Sequence, residues 1–479
     1  MLKITNTLTR KKEKFVPIED KKVRFYQCGP TVYSRQHIGN LSAAVRGDLI
    51  RRALKYLGYD VKYVRNITDV GHLVSDGDEG EDKMAKGAKK ERLSPQEIAE
   101  KYTSLYHNDL QKLNVIPPDV EPKATEYVYK MAEFAQTLLD KGYAYAREKA
   151  IYFDVDKFPE YNKLNRQKLE KNKVGAGFGD VEDDDKKNPY DFALWFFKVG
   201  VHKNALQTWE YKFSGINQPT LHGFPGWHIE CSAMALSTLG ETIDIHMGGV
   251  EHIAVHHTNE IAQSEALTGK EYVKYWLHHE HLLIDGEKMS KSKGNIFTLD
   301  DLEQKGYRPL DFRYFLLSAH YRSKQNFTFK ALDASARSLD KILEKLNSFP
   351  NNGGQISNYY KEKFINALED DFNIAVGLSV LWEVLSSNLS PEDKRATILD
   401  FDKVLGLDLE LENNKDNDIK ITPELRKLLD KREKARKEKN FTEADRIRDE
   451  LVEKYGLVVI DTKSEQKLRK LSNNSTSLK

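Results

Sequence analysis

Apolar residues near the start of the chain follow a strand, helix, strand pattern. Val23-Arg24-Phe25-Tyr26-Gln27-Cys28 reads as a short strand that stops at Gly29-Pro30, a turn signal. Leu41, Val45, Leu49, Ile50, Ala53, Leu54 and Leu57 then recur at helical spacing, with Gly58 in the place of a C-capping glycine. Val61-Lys62-Tyr63-Val64-Arg65-Asn66-Ile67 reads as a second strand. This order predicts a parallel sheet that gathers its ligand at the carboxyl ends of the strands. Residues 76–92 are charged and glycine-containing and predict a solvated loop, followed by helices over 95–113 and 125–141. The sheet pattern resumes at 242–247 and 281–284, and residues 299–405 are mostly helical. Residues 413–418 read as a linker, 423–455 as a charged helical stretch and 472–477 as a disordered tail.

Composition narrows the class. Of 479 residues, 31% are charged and 39% apolar, against about 25% and about 45–50% in an ordinary soluble domain. At ~150 residues per domain the length predicts about three domains. No run approaches the ~18 apolar residues of a membrane span, and the first residues, Met1-Leu2-Lys3-Ile4-Thr5-Asn6-Thr7, lack the apolar stretch of a secretory signal. Two cysteines, Cys28 and Cys231, cannot build a disulfide scaffold, and the expected compartment is the cytoplasm. Net charge is +1, so a nucleic-acid partner must be met by local basic patches.

Three constellations carry chemistry. His37-Ile38-Gly39-Asn40 immediately precedes the first helix, whose free N–H groups and positive dipole end suit phosphates. Gly39 lets a ligand approach the backbone, and Asn40 is also the residue type of an ordinary N-cap. Lys288-Met289-Ser290-Lys291-Ser292, followed by Lys293-Gly294, is a cationic loop able to clamp developing phosphate charge, although lysine runs are commonly just solvated faces. Eight of the fourteen histidines lie between His228 and His281. His256 and Glu260, four apart on a helix, share a face. With Cys28 and Cys231 they would make a four-ligand zinc site. On spacing alone His246, His252, His257, His278, His279 and His281 compete as ligands, and two buried apolar cysteines among polar histidines remain an alternative.

Together these strings resemble the class I aminoacyl-tRNA synthetases, with their His-Ile-Gly-His-type and Lys-Met-Ser-Lys-Ser signatures. Further strings are similar to the cysteinyl-tRNA synthetase family: Cys28-Gly29-Pro30-Thr31-Val32-Tyr33, Asn66-Ile67-Thr68-Asp69, Asn188-Pro189-Tyr190-Asp191-Phe192-Ala193-Leu194-Trp195, residues 225–234 and Asn259-Glu260-Ile261-Ala262-Gln263-Ser264. The resemblance spans residues 20–460. It implies an α/β fold: a Rossmann-type parallel-sheet catalytic domain (1–116 and 222–297) with a connective insertion (117–221). A stem-contact region (298–345), a helical bundle (346–412) and a C-terminal anticodon-binding region (413–479) would follow. It implies one zinc ion per chain held by Cys28, Cys231, His256 and Glu260. It also implies an amino-acid pocket lined by Thr68, Trp227 and His246, an ATP contact at Lys291, and phosphate handling by His37, Gly39, Asn40, Lys288 and Lys291. The implied substrates are L-cysteine, ATP with Mg²⁺, and tRNA-Cys, for a monomer that touches no membrane.

The chain departs from the family pattern at several positions. Asn40 stands for a histidine and keeps a donor without a titratable ring. Glu251 stands for an aspartate, Thr258 for a glutamate and Gly71-His72 for an acidic pair, and the usual closing tryptophan segment is missing. Two other readings compete. One is a ligase that passes the same adenylate to an amino-sugar, which the long chain beyond Ser292 argues against. The other is a non-catalytic tRNA-binding paralogue, which the intact lysine loop and ligand set argue against.

Overall fold

The computed structural model describes residues 1–71, 83–166, 185–289, 294–410, 421–438, 440–455, 457–461 and 466–470. An antiparallel hairpin, β1 (Lys3–Asn6) and β2 (Lys11–Lys14), opens the chain. Next come β3 (Lys22–Gln27), α1 (Ile38–Tyr56), β4 (Asp60–Arg65), α2 (Lys83–Glu91) and α3 (Pro95–Lys112). The apolar stripe of α1 is buried, and Gly58, at φ +88°, ends it. Gly47 lets α1 lie close on β3: a Cβ there would sit 2.0 Å from Gln27 Oε1.

Helix α4 (Val128–Asp140) leads into β5 (Ala144–Ala146), β6 (Ala150–Phe153), β7 (Phe192–Phe197), β8 (Trp209–Glu210) and β9 (His222–Pro225). These form an antiparallel sheet in the order β5-β6-β7-β9-β8, so the insertion's sheet runs past residue 221. The chain then returns through α5 (Trp227–Leu239), β10 (Ile243–Gly249), α6 (His256–Thr268) and β11 (Val273–His279). The central sheet is parallel throughout, in the order β11-β10-β3-β4.

Beyond it lie β12 (Leu282–Ile284), β13 (Glu287–Lys288), α7 (Leu299–Gln304), α8 (Pro309–Leu317), β14 (Gln325–Phe327) and α9 (Phe329–Asn347). Then follow α10 (Asn358–Glu369), α11 (Ile374–Ser386) and α12 (Pro391–Leu405). Arg313 of α8 ties this helical region to the sheet domain. Its fully buried guanidinium donates to Asp48 Oδ2 of α1 at 2.7 Å, Leu113 O at 2.8 Å and Leu405 O at 2.8 Å. Among the described residues no helix is long and apolar enough to cross a membrane.

Three sequence expectations need correction. Residues 83–91 are helical, not loop: buried Met84 and Ala88, one turn apart, pack inward, and so narrow an apolar pattern in a lysine-rich sequence gave no helical signal. The fourth strand of the central sheet is β11, whereas 282–284 pairs with β13 and β14 in a separate small sheet. Six of the seven residues of β11 are buried, all but Lys274, so the strand carried no period-two signal. The stretch 423–455 is two helices, Pro423–Lys437 and Phe441–Tyr455, packed through Leu425, Leu429, Ile447 and Leu451. Asn440 separates them, and its side chain caps the second by accepting from Glu443 N at 3.2 Å. The linker 413–418, the tail 472–477 and the loop segment 76–82 lie outside the described residues.

Candidate active site and metal centre

Strands β3 and β10 are neighbours whose connections leave in opposite directions, so a crevice opens at their carboxyl ends. Cys28 follows β3 and Gly248-Gly249 closes β10. Gly29 passes so close to β4's continuation that a Cβ would lie 1.6 Å from Asn66 O, and Asn66 Oδ1 accepts from Gly29 N at 2.8 Å. The resulting cleft has a volume of about 610 Å³. Cys28, Cys231, Trp227 and His256 line one end, and His37, Gly39, Asn40 and Lys288 the other.

At the first end, α5 delivers Cys231, and α6 delivers His256 and Glu260 from one face. Cys28 Sγ lies 3.9 Å from Cys231 Sγ and 4.0 Å from Glu260 Oε1, which is 3.0 Å from His256 Nε2. One donor atom from each of the four lies within 4.8 Å of all the others. Ligands about 2.0–2.3 Å from a shared tetrahedral ion stand roughly 3.3–3.8 Å apart, so this donor set fits a metal ion with small adjustments. Surrounding groups fix the ligands. His246 Nε2 is 2.9 Å from Glu260 Oε2, Tyr272 Oη donates to the same oxygen at 3.3 Å, and His228 Nδ1 meets His256 Nδ1 at 3.0 Å. Trp227 stacks on His256 with ring centres 4.4 Å apart.

A second set, Cys28, His246, His257 and Glu260, converges equally closely. The first set meets the cleft through three members, Cys28, Cys231 and His256, the second through Cys28 alone; His246 and His257 are fully buried and are not among the cleft-lining residues. His246, which the resemblance places in the amino-acid pocket, is fully buried with its Nε2 toward Glu260.

Charge in this cluster is strongly coupled. Burial pushes the Cys28 thiol up, while its hydrogen bond holds Cys231 below the ordinary value. Burial opposes a proton on His256, yet Glu260 and Cys231 raise it to about 10. Burial also opposes charge on Glu260, but His246 and His256 hold the carboxyl well below the usual range. Glu260 and Cys231 thus both favour a proton on His256, which a bound cation would have to displace.

At the other end, His37 is the N-cap of α1, and its Nδ1 accepts from Asn40 N at 3.3 Å. The neutral ring then carries its proton on Nε2. Asn40 is not the cap: it is the third helical residue, and its Nδ2 donates to Gln36 Oε1 at 2.6 Å. A Cβ on Gly39 would come within 2.2 Å of Met289 Cε, so the two signature strings meet at this glycine. Lys288 ends β13, exposed. Lys291 lies outside the described residues. Thr68 lines the cleft and accepts from Asn66 Nδ2 at 3.1 Å.

Sequence reasoning passed over Asn66 as a brace between Gly29 and Thr68 and did not see His228 as the partner of His256; it named His257, whose Nε2 is 3.4 Å from Cys28 Sγ, only as one of six competing ligands. The histidine enrichment flagged the last two without ranking them.

Known proteins match along nearly the whole chain. Residues 14–337 match the family model of the class I (C) tRNA synthetase catalytic domain, and 419–469 match the cysteinyl-tRNA ligase anticodon-binding domain. The cysteine--tRNA ligase of Treponema denticola is 41% identical over 98% of this chain and 100% of its own. That of Brevibacillus brevis is 40% identical over 96% of this chain and 98% of its own. A solved methionyl-tRNA synthetase from Mycobacterium tuberculosis, in complex with methionyl-adenylate, shares the fold: its TM-score is 0.51 at 15% identity, over 81% of this chain and 90% of that one. By these matches the chain belongs to the cysteine--tRNA ligase family of class I aminoacyl-tRNA synthetases.

Proposed function

We propose that the chain activates L-cysteine with ATP and Mg²⁺ and transfers it to tRNA-Cys, with Cys28, Cys231, His256 and Glu260 holding a zinc ion. The observation that carries this reading is the convergence of two thiols, an imidazole and a carboxylate at one end of a cleft whose other end seats Met289 on Gly39. A zinc ion held there would supply a soft centre that prefers a thiolate to a hydroxyl. Rejecting serine by shape alone gains only about 1–3 kcal/mol.

In the first step a carboxylate oxygen of cysteine attacks the α-phosphorus of ATP, and pyrophosphate leaves. The nucleophile is already ionised, so the chain needs alignment and charge neutralisation but no base. His37 donates through Nε2–H, the α1 N-terminus offers backbone N–H groups, and Lys288 supplies positive charge. Asn40, with a donor and no titratable ring, serves the same end. Trp227 and Thr68 confine the amino acid beside the ligands. In the second step a terminal ribose hydroxyl of the tRNA attacks the carbonyl carbon and AMP leaves. The likeness of 419–469 to an anticodon-binding domain favours tRNA as acceptor.

Charging purified tRNA with cysteine and serine in parallel, with metal quantified on the same sample, tests this. Cysteine alone should be loaded by protein carrying one zinc per chain. Equal loading of serine, or full cysteine loading by metal-free protein, overturns it.

A further inference from the structure

The floor of the cleft holds a charged group that neither end of the site uses. Arg65, the last residue of β4, is 1% exposed and lines the cleft. Its Nε, Nη1 and Nη2 have no hydrogen-bond partner among the described residues. The guanidinium carbon stands 5.5 Å from the Tyr106 ring centre, and the Glu121 carboxylate is 4.0 Å away, beyond hydrogen bonding. Glu121 turns its other oxygen to His107 at 2.6 Å. A buried guanidinium with five idle donors is costly, and folded proteins nearly always pair such donors. Burial opposes its charge, but the neighbouring Tyr106, Tyr63 and Glu121 outweigh it and hold the guanidinium above its ordinary value.

We propose that Arg65 is a substrate-binding residue whose fork takes an oxyanion of a reactant entering the cleft, a carboxylate or phosphate oxygen. The inference rests on the function proposed above. The oxyanion comes from cysteine, ATP or the terminal phosphate of tRNA, and kinetics separate these sources.

Arg65→Met keeps an unbranched apolar stem and removes the guanidinium and its charge. Its melting temperature should equal or exceed the wild-type value, since no hydrogen bond is lost. kcat/KM should fall about tenfold or more, the usual scale of a charge-assisted hydrogen bond. A raised KM for cysteine or for ATP in pyrophosphate exchange names that substrate; normal exchange with weakened charging names tRNA. Stabilisation by ATP, cysteine or tRNA in a thermal melt should shrink for the same one. Unchanged exchange, charging and ligand-induced stabilisation in Arg65→Met overturns the proposal. If Arg65→Met does not fold, Arg65→Lys decides: a folded protein with KM raised for one substrate supports it, and wild-type kinetics overturns it. Wild-type protein without cysteine-dependent exchange would instead overturn the functional reading, so the two failures are distinct.

Discussion

The two ends of the cleft are built on opposite principles. The thiol end is dry and interlocked: Cys231, His256 and Glu260 are at most 3% exposed, and each is held by a further side chain. The signature end is open, with Asn40 and Lys288 exposed and a helix terminus as its main fixed donor. A metal centre needs its donors set within fractions of an ångström before substrate arrives. Phosphate chemistry needs charge delivered to a ligand that moves, so exposed and adjustable groups serve it. One fold meets both needs because the crevice between β3 and β10 has a core helix pair, α5 and α6, on one side and a small peripheral sheet on the other.

Removing a thiol should break the contrast most severely. Cys231→Ser should lose bound metal and cysteine-dependent exchange together, by more than about 100-fold, the upper scale for groups that merely support a ligand. Retained metal in that variant would show that the other set, Cys28, His246, His257 and Glu260, is the real one. Next in size is the support behind the ligands. His246→Ala should weaken metal affinity about 10–100-fold and leave the KM for ATP alone; an ATP effect with normal metal content would count against the division of labour. At the open end, Lys288→Ala should raise the KM for ATP about tenfold with metal content intact. The smallest effect belongs to Asn40. Asn40→Ala should slow exchange about fivefold, the equivalent of one ordinary hydrogen bond, whereas Asn40→His should preserve it. A large pH-dependent gain in Asn40→His would show that the position acts through a proton.

The βαβ start of the fold was legible because α1 shows a clear apolar stripe and ends at a glycine with positive φ. The same reading failed for β11, six of whose seven residues are buried, and for α2, whose apolar face is two residues wide among lysines. In the site, the pairing of His256 with Glu260 followed from helical period alone. The role of His246 did not, because only folding brings β10 against α6 and turns that ring onto the carboxylate.

The sequence by itself determined the residue types and the local periods: a strand before Cys28, a helix with His256 and Glu260 on one face, a capped helix after His37, and the strings shared with the cysteine--tRNA ligase family. Only the tertiary structure decided which of eight clustered histidines face the cleft, that two thiols 203 positions apart come within 3.9 Å, and that the Arg65 guanidinium has no hydrogen-bond partner among the described residues. Local patterns record the torsional preferences and the buried face of one element. Proximity across the sheet is set by strand order, which no single element encodes.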